Sequence, residues 1–241
     1  MKLGFLGTGT IASAVVQGIA ADGHAITVSR RSEARSAALA EAFAAVTVAD
    51  NQGVLDAAEV VFLGLMAETA PGILQGLQFR AGQKVVSFMA GLPLEALAPL
   101  VAPAEAVAIM LPFPGIAQGG SPVLALGGDD LLRGIFGRTN TVFALGSAAE
   151  LNAYLCAQAV LSPAVLMVAT AADWMERQGV DRVGAEGFLR TLVGSSLISG
   201  PCRPMLAALD TPGGYNQRLR RHMEQAGMEP ALTEGLDRLQ G

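Results

Sequence analysis

Charged and basic side chains are scarce in this chain of 241 residues, and lysine occurs only at Lys2 and Lys84. Charged residues make up 15% of the chain and the formal net charge is −5. Because proteins that bind nucleic acids are usually basic, we expect no nucleic-acid partner. Cys156 and Cys202 form no CxxC pattern and only two histidines are present. This composition predicts no metal site and a reducing, cytoplasmic location.

Apolar residues are abundant, at 51% of the chain with a mean hydropathy of +0.44. The segment Leu151–Ala172 has the length of a membrane span. However, it contains Pro163 and the polar residues Asn152, Gln158 and Ser162, and no basic cluster flanks it. We therefore expect a helix buried in a core or in a dimer interface, and no membrane partner.

Short β-rich runs alternate with helical stretches over the first ~145 residues, which is typical of a doubly wound parallel sheet. Several of the runs are nearly continuous apolar segments, as in strands covered on both faces. The predicted strands are Lys2–Leu6, Ala25–Ser29, Val46–Val48, Val60–Leu65, Val85–Phe88, Val107–Met110, Val123–Leu126 and Thr141–Phe143. The predicted helices are Thr10–Ala21, Glu33–Ala44, Thr69–Leu77, Pro93–Val101 and Asp129–Phe136.

The pattern changes at Ser147, where Ser147-Ala-Ala-Glu150 has the spacing of a capping box. Beyond it the pattern indicates apolar helices and no strand. We expect these helices to break at Ser162-Pro163, Gly179, Gly194, Gly200-Pro201 and Pro212. The predicted domains are therefore 1–146, an α/β Rossmann domain, and 147–241, an all-α domain for dimerisation and substrate binding.

A glycine-rich loop follows the first predicted strand and leads into a helix. It reads G-x-G-x-x-A over Gly7, Thr8, Gly9, Thr10, Ile11 and Ala12. In this pattern the first glycine permits a tight turn, the second lets the backbone approach a pyrophosphate, and the small third residue lets helix pack on strand. The helix N-terminus then offers N–H groups to the phosphates. The alternative is a structural glycine turn, but the strand-helix context favours a dinucleotide site.

The residues after the second strand indicate which dinucleotide is bound. NAD-binding folds usually place Asp or Glu there to hold the ribose 2′-OH. This chain has Ser29, Arg30 and Arg31 instead, and guanidinium and hydroxyl groups suit a 2′-phosphate. We therefore predict NADP(H) as the cofactor. The alternative is that the two arginines form the solvated start of the next helix.

A second candidate anion site is Thr211-Pro212-Gly213-Gly214. Thr is a good N-cap and Pro is favoured at the first helical position. Each glycine in the first turn of a helix costs about 1 kcal/mol of stability relative to alanine. Close approach of an anion to the helix N–H groups would offset this cost. An ordinary turn between helices is equally compatible with the string.

These motifs together resemble the pyrroline-5-carboxylate reductases over nearly the whole chain. The supporting strings are Gly7–Ala14, Val85–Gly91, Met110–Gly119, Ala164–Gly179 and Thr211–Gly214. The resemblance implies a Rossmann domain followed by a helical domain that forms a homodimer, or a higher homo-oligomer, through interleaved helices. It implies NAD(P)H-dependent reduction of a small cyclic imine in proline biosynthesis.

The resemblance also implies roles for particular residues. Thr211, Gly213 and Gly214 are candidates to bind a substrate carboxylate, and Leu65, Met66 and Ala90 are candidates to contact the cofactor. Thr211, Tyr215 and Asn216 are the catalytic candidates, and Tyr215 is the only one bearing a weak acid. We expect substrate positioning and a water to matter more than a dedicated acid. Tyr215 could also be a packing residue on a dimer helix.

The chain departs from the family at several positions near the expected active site. Met66-Ala67 replaces a Lys-Pro pair, Leu111–Pro114 replaces a Pro-Asn-Thr-Pro loop, and Asn216 replaces a hydroxyl residue. These changes leave open an alternative function, a non-catalytic NADP-binding sensor or interaction protein on the same scaffold. The related β-hydroxyacid dehydrogenases use a lysine of the second domain, which this chain lacks.

Overall fold

The computed structural model describes residues 1–240, and the chain divides into two compact units between Leu151 and Asn152. The first unit contains a β-sheet and its covering helices, and the second is helical. The boundary expected from the sequence, between residues 146 and 147, lies at the start of the helix that runs across this division.

Within the described residues, eight strands form one sheet in the order β3-β2-β1-β4-β5-β6-β7-β8. The central strand β4 is buried at every position, which explains its uninterrupted apolar sequence VVFL. The strands are β1 Lys2–Leu6, β2 Ala25–Ser29, β3 Val46–Ala49, β4 Val60–Leu63, β5 Lys84–Ser87, β6 Glu105–Pro112, β7 Pro122–Leu126 and β8 Thr141–Leu145.

Helices cover both faces of the sheet. They are α1 Thr10–Ile19, α2 Glu33–Ala42, α3 Asn51–Ala57, α4 Ala70–Leu74, α5 Leu94–Val101 and α6 Asp129–Phe136, with a 3-10 turn at Pro114–Ala117. One core cluster joins α1, α2 and α6 to the sheet, and a second joins α3, α4 and α5. The Phe5 and Phe62 rings stack at 4.8 Å in the first cluster. The predicted doubly wound α/β fold is confirmed.

Two details of the first unit differ from the expectation. Strand β7 runs antiparallel to β6, so the sheet is mostly rather than wholly parallel. The short connection 113–121 joins neighbouring strands without the long crossover that a parallel pair needs. Helix α3 was missed because it is short and contains Gly53. The side chain of Asp50 caps it by accepting a hydrogen bond from the Gly53 N–H at 2.7 Å.

The second half of the chain is a series of helices, as predicted. They are α7 Ala148–Ala157, α8 Leu161–Arg177, α9 Arg182–Ser199, α10 Cys202–Ala208, α11 Tyr215–Gln225 and α12 Met228–Leu239. The predicted cap by Ser147 is confirmed, because the Glu150 N–H donates to Ser147 Oγ at 3.1 Å. The Glu150 carboxylate accepts from the Gly146 N–H at 2.7 Å, one residue before the position that a capping box uses. The expected break at Gly194 is wrong, since α9 continues through it.

Apolar side chains lie on the outside of the second unit. Ile198 is 88% exposed, Val183 80% and Leu166 66%. One helical stretch, Ala148–Arg177, is long and apolar enough to cross a membrane. Within it, only 6% of the apolar 18-residue segment is buried by the rest of the chain. A 3-10 turn at Gln158–Val160 interrupts this stretch just before Pro163.

Candidate functional site

The loop Gly7–Gly9 connects β1 to α1 and leads directly into the N-terminus of that helix. Gly7 has φ +91°, and a Cβ there would lie 2.3 Å from the carbonyl oxygen of Gly64. Glycine is therefore required at this turn. A Cβ at Gly9 would meet no atom within 4 Å, so the space beside the start of α1 is open. Gly9 caps α1 without a side chain, which leaves the first N–H groups of the helix available to an anion.

The other residues of the loop motif differ in their accessibility. Thr10 is exposed and Ile11 is half-buried, whereas Ala12 is buried. A Cβ on Gly64 would stand 3.1 Å from the Cβ of Ala12, so a small residue is needed where α1 packs on the end of β4. This is the packing role that the motif predicts for its last position.

The side chains of Thr8 and Ser29 face the protein interior. Ser29 has no exposed surface, and its Oγ accepts a hydrogen bond from the Gly7 N–H at 2.8 Å. The Thr8 hydroxyl, in a residue 1% exposed, donates to the carbonyl oxygen of Ser29 at 3.4 Å. Both residues thus belong to the predicted cofactor region, but their hydroxyl groups bond to backbone atoms.

Three arginines occur within six residues directly after β2. Arg30 and Arg31 are exposed, and so is Arg35 in the first turn of α2. None of these three guanidinium groups, which we call the arginine cluster, takes part in an ion pair among the described residues. Arg35 is not among the residues predicted from the sequence, although its spacing of four residues from Arg31 could have indicated it. The cluster offers an unpaired positive charge beside the glycine loop.

The carboxyl ends of the neighbouring strands β4 and β5 lie at the same sheet edge as the glycine loop. Leu65 is half-buried and packs on the second core cluster, whereas Met66 is 65% exposed. Ala90, after β5, is exposed. Phe113, after β6, is half-buried. The structure therefore brings Leu65, Met66 and Ala90 to the edge that carries the loop, and this part of the edge is apolar.

The Thr211–Gly214 string forms a turn before α11. The helix begins at Tyr215 with Gly214 as its N-cap, so the expectation that Thr211 caps a helix starting at Pro212 is wrong. Gly213 has φ +74°, which interrupts the helical path. Its N–H donates to Gln217 Oε1 at 2.9 Å, and the Gly214 N–H donates to the Thr211 carbonyl at 3.0 Å. Both glycine amides are thus engaged within the turn.

Two side chains of α11 hold this turn. Gln217 is 6% exposed, and its Nε2 also donates to the Asp210 carbonyl at 3.3 Å. Arg220 pairs with the Asp210 carboxylate and donates to the Leu206 carbonyl at 3.1 Å. A hydrogen bond from Gln217, with the positive charges of Arg220 and Arg221, lowers the pKa of Asp210. Next to this turn, Thr211 and Asn216 are exposed and Tyr215 is 90% exposed.

No group of three or more His, Cys, Asp or Glu side chains within residues 1–240 is arranged to hold a metal ion. The groups in these two regions that are suited to binding an anion are the N–H groups at the start of α1, the guanidinium groups of the arginine cluster and the N–H groups at the start of α11.

Known proteins share this architecture. Residues 2–91 match the family described as NADP oxidoreductase coenzyme F420-dependent. No curated protein sequence matches the chain. Among solved structures, a 1-pyrroline-5-carboxylate reductase from Streptococcus pyogenes aligns with a TM-score of 0.82 at 20% identity, over 100% of this chain and 96% of its own.

Two further structures carry nucleotides. The pyrroline carboxylate reductase of Plasmodium falciparum with NADP bound aligns with a TM-score of 0.83 at 14% identity, over 100% of this chain and 95% of its own. A reductive aminase from Aspergillus terreus in complex with NADPH and ethyl levulinate gives 0.60 at 21% identity, over 100% and 91% of the two chains. The chain thus has the fold of the pyrroline-5-carboxylate reductases, and the resemblance indicated by its sequence motifs is confirmed at this level.

Proposed function

We propose that this chain is an NADPH-dependent reductase of a small cyclic imine that bears a carboxylate, with pyrroline-5-carboxylate as the first candidate. The observation that carries the proposal is the open space beside Gly9, next to an unpaired arginine cluster. The family match over residues 2–91 and the shared fold of imine-reducing enzymes support it.

The residues of the first unit fit an NADP cofactor. The N–H groups at the start of α1 would bind the pyrophosphate, and Arg30, Arg31 and Arg35 would bind the 2′-phosphate. Leu65, Met66 and Ala90 would contact the cofactor farther along the same edge, where apolar side chains exclude water. When bound, NADPH supplies a hydride.

The residues at the start of α11 would bind the substrate carboxylate. Because the Gly213 and Gly214 amides are engaged in the turn, the amides of Tyr215 and Asn216 and the hydroxyl of Thr211 are the donors we assign to the anion. Gly213 contributes by leaving space, since a Cβ there would meet no atom within 4 Å. Thr211, Tyr215 and Asn216 would orient the imine, with a proton delivered through water or the Tyr215 hydroxyl.

One observation favours a second function, a non-catalytic NADP-binding sensor. Met66 is 65% exposed at the sheet edge and Phe113 is half-buried there, at positions where the resembled family has polar groups. A protein that binds the nucleotide and reduces none of the imines offered to it would match this alternative.

The test is NADPH oxidation, followed by absorbance, with pyrroline-5-carboxylate and a panel of cyclic imino acids and keto acids. We expect turnover with at least one carboxylate-bearing imine. Gly9→Ala should abolish it while the chain stays folded, because the new methyl group fills only the space reserved for phosphate. Gly134→Ala also places its methyl group in open space, within α6 of the same unit, and serves as the matched control. Binding of NADPH with no turnover on any compound would contradict the reductase proposal.

We further propose that the chain works as a cytoplasmic homodimer in which a second copy covers the apolar exterior of the second unit. Large exposed apolar patches mark interaction surfaces. The Ala148–Arg177 stretch is broken by a 3-10 turn and contains Asn152, Gln158 and Pro163, which suit a protein interface better than a bilayer. Helices α8 and α9 pack against each other, and both carry exposed apolar side chains. These side chains support one extended interface.

A further inference from the structure

Ser29 occupies the last position of β2 and is buried beneath the glycine loop. Its Oγ lies 2.8 Å from the Gly7 nitrogen and accepts that N–H. The two residues are 22 positions apart, so this bond fastens the loop to a different strand. It acts at Gly7, whose left-handed conformation sets the direction in which the chain enters α1.

Two more hydroxyl groups extend the connection into the helix. Thr8 Oγ1 donates to the Ser29 carbonyl at 3.4 Å, and Ser13 Oγ donates to the Thr8 carbonyl at 3.3 Å. The end of β2, the loop and the first turn of α1 are thereby joined by side-chain hydrogen bonds, and Ser29 contributes both its side chain and its carbonyl.

The backbone of Arg30 is fixed by a different contact. The Arg30 N–H donates to the Ala49 carbonyl at 3.2 Å, which anchors the backbone to β3. Loss of the Ser29 hydroxyl would therefore leave Arg30 in place. It would also leave the buried Gly7 N–H without its acceptor, and an unsatisfied buried amide favours rearrangement of the loop.

We propose that Ser29 is a positioning residue that holds the phosphate loop in its binding conformation and does not read the 2′-phosphate. This inference rests on the proposed NADP(H) binding. The pyrophosphate is common to NADPH and NADH, whereas the 2′-phosphate belongs to NADPH alone. Ser29 thus supports affinity for both nucleotides equally, and the arginine cluster supplies the preference between them.

The test is titration of the Ser29→Ala protein with NADPH and with NADH. We expect both affinities to fall by the same factor, about tenfold or more, so that their ratio stays at the wild-type value. Ser36→Ala is the matched control, because it removes another buried hydroxyl of this unit, bonded to the Glu33 carbonyl, and should change neither affinity. A loss confined to NADPH would make Ser29 a 2′-phosphate ligand and overturn the proposal, as would no loss for either nucleotide.

A second variant and a second measurement keep the test decisive. If Ser29→Ala does not fold, Thr8→Val removes the adjoining hydroxyl with little change of shape, and it should weaken both nucleotides together. Unchanged affinities in that variant would overturn the proposal. If the wild-type chain binds neither nucleotide, the proposed function fails. Hydrogen exchange at the Gly7 amide then tests the bond between Gly7 and Ser29 directly. We expect faster exchange in Ser29→Ala than in the wild type, and equal exchange would contradict the role of this bond.

Discussion

The arginine cluster is the feature that we expect to distinguish NADPH from NADH. Arg30 and Arg31 follow β2, where NAD-binding folds place an acid, and Arg35 adds a third exposed guanidinium group. Arginine binds phosphate through several N–H donors in a planar fork, which lysine cannot do. With lysine nearly absent from the chain, arginine alone can supply this recognition.

Replacing Arg30 with alanine should weaken NADPH binding by about 10- to 100-fold, because hydrogen bonds to charged groups contribute about 1.5–3 kcal/mol each. NADH affinity should remain at its wild-type value. Fluorescence titration of both nucleotides measures the two effects. The control is Arg133→Ala, an exposed arginine of α6, which should alter neither affinity. Equal weakening of both nucleotides would show that Arg30 holds the fold of the loop instead of the 2′-phosphate.

Residue roles in the site were predictable where the signal is local. The glycine loop was recognised because all its positions lie within a few residues between a strand and a helix. The burial of Ser29 was not predictable, since it depends on a bond between segments 22 positions apart. The internal bonds of the Thr211–Gly214 turn were missed because the buried Gln217 beyond the string provides an acceptor that the string itself does not show.

At the scale of elements, the loop after β6 is held against α1 by a close backbone contact. A Cβ on Gly18 would lie 2.3 Å from the carbonyl oxygen of Ile116. Because the opposing atom belongs to the backbone, it cannot move aside as a flexible side chain would. Gly18 therefore lets the 3-10 turn pack on the helix that begins at the glycine loop.

Gly18→Ala should destabilise the protein by about 1–3 kcal/mol, the usual cost of overpacking, despite the better helix propensity of alanine. Gly134→Ala offers the opposite case, since Gly134 also lies within a helix but a Cβ there meets no atom within 4 Å. That variant should gain about 0.5–1 kcal/mol. Urea unfolding monitored by circular dichroism measures both. A neutral Gly18→Ala would mean that the contact between the turn and α1 is looser than the structure has it.

Elements were predictable from the sequence to the extent that burial dictates their pattern. The strands could be identified because uninterrupted apolar runs such as Val60–Leu63 are typical of strands in a sheet covered on both faces. The reversal of β7 could not, because the direction of a strand leaves no mark in its own composition. Gly194 was given too much weight as a breaker, since one glycine costs only about 1 kcal/mol and the surrounding α9 tolerates it.

For the whole molecule, the apolar composition has two sources. In the first unit, apolar residues fill the strands and the inner helix faces. In the second unit they lie largely on the exterior. Ala172 and Ala185 are the only buried residues of α8 and α9. A monomer with that exterior would place a large apolar area in water, which is the unfavourable arrangement that a second copy would remove.

Sedimentation at micromolar concentration should therefore give a particle of twice the chain mass of 24.7 kDa. Ile198→Glu combined with Leu166→Glu should shift the particle toward the monomer mass, because it places charges within the proposed interface. Ala38→Glu, on the exposed side of α2, should leave the dimer intact. A wild-type monomer, or a chain that stays in solution only with detergent, would contradict the homodimer.

The most direct test of the proposed activity is transfer of deuterium from NADPH labelled at C4 of the nicotinamide to a carboxylate-bearing cyclic imine. Two preparations of NADPH, each carrying deuterium on one face of the nicotinamide ring, should be used with pyrroline-5-carboxylate and its ring-size analogues. The products are analysed by mass spectrometry. We expect NADPH labelled on one face of the nicotinamide to yield a cyclic amino acid carrying one deuterium, and Gly9→Ala to yield none. Tight binding of NADPH without label in any product, from either face, would contradict it.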